Sequence, residues 1–164
     1  MARRVFFSFH YENDINRAMV VRNSWVVQGT KEANFIDKAA FEAVKRQGDQ
    51  AVHNWIDKQL DGTSVTVVLI GSETLTRPFV QYEICQSLNR GNAIIGVYIN
   101  GIKDMTTGYI TLQGNVHTVV GSYNNTGSPV YFDAIADGIY DYTSGNGYQN
   151  LGNWIESAAR KHNK

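Results

Sequence analysis

The chain has 164 residues, so at roughly 100 to 200 residues per domain it is expected to fold as a single domain over 1–164. Hydrophobic residues make up 43% and aromatics 12%, which suits a chain with a buried core and argues against disorder. Fifteen Lys plus Arg against fifteen Asp plus Glu leave no net charge, without the basic excess that phosphate-backbone binding leaves in a sequence, so no nucleic-acid partner is expected. The longest apolar runs, Val65 to Ile70 and Ala93 to Ile99, fall far short of the roughly 18 residues a membrane helix needs.

Arg3-Arg4 is followed too soon by His10, Glu12 and Asp14 for a secretory apolar region, and Cys85 is the single cysteine. A cytoplasmic protein without a disulfide or a multi-cysteine zinc site is the expectation.

Val5 to Phe9 is a short β-prone run, and Asn13-Asp14 offers a helix cap before Ile15, Met19 and Val20 at near-helical spacing. Asn34 to Asp37 reads as a short second strand. The helical stretch after it repeats Val52, Trp55, Ile56 and Leu60 at three and four residues and ends at Asp61-Gly62. Ser64 to Ile70 is nearly continuous β-branched and apolar, as expected of a strand covered on both faces. The next helix has Thr76 as its expected cap and Pro78 in its first turn, with Val80, Ile84 and Leu88 as the stripe facing the sheet. Ala93 to Ile99 is a fourth strand. The first hundred residues therefore read β-α-β-α-β-α-β, the pattern of an α/β, doubly wound, mainly parallel sheet with helices on both faces.

Residues 101–150 hold eight of the fifteen glycines, with few charges. Loops and short irregular strands are expected in this variable segment, at Val116 to Val120 and Val130 to Phe132. Residues 151–164 read as a terminal helix, with Trp154, Ile155 and Ala158 on one face.

In such sheets ligands bind beyond the carboxyl ends of the strands, where the strand order reverses. In a flavodoxin-like order that point lies between the first and third strands, where Ser8, Phe9, His10 and Tyr11 meet Gly71, Ser72, Glu73 and the start of the next helix. Glu83 lies off the Val80-Ile84-Leu88 stripe and one turn after Phe79, so a carboxylate and an aromatic share one face. By itself that pattern reads first as a solvated Glu83 beside a core Phe79. Cys85 reads as a small buried thiol, and His53, His117 and His162 lack metal-ligand spacing, so no metal is expected. Asp37 reads as a helix cap before it reads as a ribose contact.

The segments Arg4 to Tyr11, Val21 to Trp25, Thr63 to Ser72, Arg77 to Ile84 and Gly91 to Gly96 resemble, in order, the TIR-like ThsB proteins of the Thoeris antiphage system. The likeness covers roughly the first hundred residues. It implies a flavodoxin-like TIR fold in which Glu83 is the catalytic residue and Ser8, Phe9, His10, Ser72 and Phe79 hold the substrate. Phe79 stands where the family usually has Trp, Phe9 where Tyr is common, and His10 where a basic residue contacts pyrophosphate. The implied activity is that of an NAD+ nucleosidase (EC 3.2.2 type) and cyclase that breaks the nicotinamide–ribose bond. NAD+ is then the substrate, with no further cofactor. The implied product is a cyclic ADP-ribose isomer that serves as a second messenger for an effector protein, and homo-oligomers form on activation. The alternative implied by TIR-like domains is a non-catalytic protein–protein interaction module. A metal-assisted receiver domain is disfavoured, because the first strand lacks clustered acidic residues.

Overall fold

The computed structural model describes residues 4–27, 33–34 and 38–163. Five parallel strands form the main sheet in the order β2-β1-β3-β4-β7: β1 Val5–Phe9, β2 Ala33–Asn34, β3 Val65–Ile70, β4 Ala93–Tyr98 and β7 Gly138–Asp141. This is the flavodoxin-like order, and it places the reversal point between β1 and β3. The helices are α1 Tyr11–Val27, α2 Lys38–Lys45, α3 Asp49–Leu60, α4 Pro78–Asn89, α5 Phe132–Ile135 and α6 Gly147–Lys161, and β5 Val119–Ser122 and β6 Pro129–Tyr131 form a separate antiparallel hairpin. None of the helices is long and apolar enough, among the described residues, to cross a membrane.

The three central strands are buried almost along their whole length, as their uninterrupted apolar runs require. Alternation along β3 and β4 divides the core in two. Val65, Val67, Leu69, Ala93, Ile95 and Val97 join α1, α3 and α6 in one cluster, while Val68, Ile70 and Ile94 join α4 and the hairpin in the other. Gly96 in β4 is small for a packing reason. A Cβ there would lie 2.8 Å from both the Ile70 side chain and the Phe132 ring.

Several expectations are corrected. Helix α1 starts at Tyr11 rather than after an Asn13-Asp14 cap, and Asp14 is buried inside it in an ion pair with Arg17 at 3.1 Å. The stretch before β3 is two helices, broken at Gly48 with φ 102°. Thr76 closes a 3-10 turn, and Arg77 occupies the cap position of α4 with Pro78 at its first turn. On α4 the buried face is Val80, Glu83, Ile84 and Ser87, whereas Leu88 is exposed. The fifth strand, β7, and the start of α6 at Gly147 both come from the segment expected to be variable. Of the expected second strand only Asn34 is described; Phe35, Ile36 and Asp37 lie outside the described residues.

Candidate active site

Helix α4 is pinned to the sheet by polar contacts in the core. The Ser87 hydroxyl donates to the Glu83 carbonyl at 2.7 Å and lies 2.7 Å from the buried Thr66 hydroxyl on β3. These bonds fix the helix rotation that turns Glu83, one turn earlier on the same face, toward the end of β1. Glu83 is 2% exposed, and its Oε2 has no hydrogen-bond partner. Burial pushes its pKa up to about 8, while the nearby Ser8 hydroxyl favours the ionised form. Ser8 is fully buried on β1, yet its oxygen makes no hydrogen bond of ordinary geometry. A carboxyl and a hydroxyl thus face each other with unfilled capacity, which is uncommon for buried polar groups away from a site.

A cavity of about 470 Å³ opens beside them, at the carboxyl end of β1. Phe9, His10 and Tyr11 form one wall, Phe41 of α2 and His53 of α3 a second, and Arg77, Phe79 and Glu83 of α4 the third. The aromatic rings support one another. Phe41 packs against Tyr11 with ring centres 4.8 Å apart and edge-on to Phe79 at 6.3 Å, and Phe79 meets the edge of His53 at 6.0 Å. His53 in turn stacks on Tyr82 at 3.9 Å, and the Tyr82 hydroxyl donates to Asp57. Lys45 pairs with Glu12 at 2.9 Å on the exposed rim.

Four of the expected substrate residues, Phe9, His10, Phe79 and, just beneath the lining, Ser8, therefore gather around Glu83. Ser72 does not. It is exposed and lines a neighbouring polar cavity of about 450 Å³ with Asn16, Arg17 and Asp104, which shares only Glu12 with the first. Tyr11 and Arg77 lie where the end of β1 and the start of α4 were expected to meet, whereas Phe41 and His53 were not expected at the site. Phe41 and His53 arrive from α2 and α3, and only the packing of these helices brings them to the end of β1; no local spacing signals it. Among the described residues no three His, Cys, Asp or Glu side chains converge as a metal site would require.

The family model for the Thoeris protein ThsB, TIR-like domain, matches residues 6–104. The chain belongs to this family. It is also 39% identical over 148 residues, covering 88% of this chain and 73% of the relative, to the "Putative cyclic ADP-D-ribose synthase ThsB1" of Bacillus cereus (strain MSX-D12). The matched span of this ThsB-family chain contains β1 from Phe6 onward, β3, β4 and α4, and with them Ser8, Phe9, His10, Ser72, Phe79 and Glu83.

Proposed function

We propose that the protein cleaves the nicotinamide–ribose bond of NAD+ and closes the ADP-ribose part into a cyclic isomer, a second messenger for a partner effector in antiphage defence. The observation that carries this reading is the buried Glu83 carboxyl, with one oxygen unpartnered, at an aromatic-walled cavity. The name of the Bacillus cereus relative supports it.

The chemistry fits a single carboxyl. Nicotinamide leaves as a neutral molecule from a cationic pyridinium, so no acid has to protonate it, unlike the leaving alcohol of an ordinary glycoside. What the reaction needs is a negative charge where the ribosyl cation develops. In the free protein Glu83 is protonated at neutral pH, because burial penalises its charge. The incoming pyridinium provides the opposite charge that burial withholds, so substrate binding favours the carboxylate, which then stabilises the oxocarbenium-like transition state from a preorganised position. The rings of Phe9, Phe41 and Phe79 give the nicotinamide an apolar face and exclude water. Arg77, exposed at the start of α4, offers a cation and a helix N-terminus at the mouth for the pyrophosphate.

Attack by water yields ADP-ribose, and attack by a hydroxyl of the adenosine half yields the cyclic isomer. Assembly of several copies on activation belongs to the same reading.

The test is mass spectrometry of NAD+ products in lysates of phage-infected cells expressing the wild type or Glu83→Gln. Gln keeps the shape and removes the charge, so turnover should fall about a hundred- to thousand-fold, the usual loss for a preorganised group of this kind. Protection by both proteins with no product from either would instead favour an interaction module.

A further inference from the structure

We propose that His10 accepts the proton of the hydroxyl that closes the cyclic product, and so sets the partition between cyclic and open ADP-ribose. This rests on the NAD+ reading above.

The imidazole lies at the end of β1, lines the cavity and is only 7% exposed, yet neither ring nitrogen has a hydrogen-bond partner. A neutral imidazole has one donor and one acceptor, and leaving both unmet in a buried place is costly unless an occupant meets them. The acceptor nitrogen suits an O–H donor such as a ribose hydroxyl. Catalytic hydrogen bonds of this kind commonly close only when substrate is bound.

His10 stays neutral for reasons visible around it. Burial is the largest cause of its lowered pKa, followed by Arg77; Lys45 acts in the same direction, while Glu12 and Glu73 oppose them. Glu83 on the α4 wall is shifted the opposite way. Before substrate binds, the carboxyl therefore holds its proton while the imidazole is neutral and free to take one. A neutral ring is also a poor partner for pyrophosphate, which leaves that task to Arg77.

The step balances without a co-reactant. The bond between ribose C1 and nicotinamide breaks and its electron pair leaves with nicotinamide. A lone pair of the adenosine-side hydroxyl forms the new bond to C1, and the hydroxyl proton passes to the free nitrogen of His10. The imidazolium then returns that proton to water.

The experiment supplies NAD+ to clarified lysates of phage-infected cells expressing the full chain, buffered at several pH values. It measures nicotinamide, ADP-ribose and the cyclic isomer for the wild type, His10→Gln and His10→Ala. The cyclic-to-open ratio should fall at least about tenfold in His10→Gln, with a smaller fall in nicotinamide release, and added imidazole should restore part of the ratio in His10→Ala. The wild-type ratio should drop as pH falls below 6.5 and His10 takes up a proton, which reads the same group without any substitution. A ratio unchanged by substitution and by pH, with nicotinamide still released, overturns the role of His10 alone. Wild-type release that yields only ADP-ribose overturns it as well. No nicotinamide from the wild type overturns the underlying reading too.

Discussion

Glu83 carries a cost beside its proposed role. Its folded pKa of about 8 lies above the ordinary value of 4.5, so between these pH values the folded state holds a proton that the unfolded chain has lost. The resulting stabilisation is present below about pH 4.5 and is lost as pH rises through about 8. Chemical denaturation at a series of pH values should show wild-type stability declining by a few kcal/mol across this window, with Glu83→Gln nearly flat and the more stable protein at pH 9. Activity should run the other way. If the carboxylate is the working form in the free enzyme, kcat/KM for NAD+ rises with pH toward about 8 and then levels. Phe79 is separable from this charge. It is half-buried, edge-on to Phe41 and His53, and offers its ring to the cavity. Phe79→Ala should raise KM about tenfold, at roughly 1.4 kcal/mol for the lost stacking, and Phe79→Trp should recover it; steady-state kinetics on the two variants decides this.

At the scale of elements, α1 and the segment after β4 depend on one buried ion pair. Arg17, 3% exposed, donates to Asp14 at 3.1 Å, to the Ile102 carbonyl at 2.8 Å and to the Tyr109 carbonyl at 2.9 Å. Asp104, in the same segment, caps its own turn by accepting from the amides of Thr106 and Thr107. The Asp14 carboxyl also packs so closely on Gly71 that no Cβ fits there. Arg17→Leu should cost about 3 to 5 kcal/mol in urea denaturation, because it strands Asp14 in the core, and hydrogen exchange should quicken at the amides of 102–109. Adding Asp14→Leu should recover part of the loss. This arrangement explains why apolar spacing does not show which face of α1 is buried. A buried Asp and Arg at positions 14 and 17 look like surface residues to any apolar-periodicity argument, and the apolar Ile15, Met19 and Val20 are only half-buried. Helix α4 shows the same effect, since polar Glu83 and Ser87 are both buried, while apolar Leu88 is exposed. The buried Thr66–Ser87 contact, which no pattern of hydropathy records, sets that rotation.

At the scale of the whole molecule, the match to the TIR-like family model ends at residue 104, but the fold does not. β7 adds the fifth strand along Ile95 to Tyr98, and Phe132, fully buried, fills the space that Gly96 leaves. Leu151, Ile155, Ala158 and Ala159 of α6 pack into the same core as β1, β3 and β4. A chain truncated after Asn100 should therefore fail to unfold cooperatively in a thermal melt and should be cleared rapidly by limited proteolysis, whereas the full chain should give one transition. The sequence by itself determined the parallel architecture, because strands buried on both faces are apolar at nearly every position and leave a nearly unbroken signal. It also determined the four-residue spacing that places Phe79 and Glu83 on one face, because helical geometry is local. Only the tertiary structure decided that Glu83 is buried, that Phe41 and His53 close the cavity around it, that Ser72 stands apart, and that a fifth strand comes from the glycine-rich segment. Each of these depends on contacts between residues distant in the chain, and long-range packing leaves no period in the sequence to read.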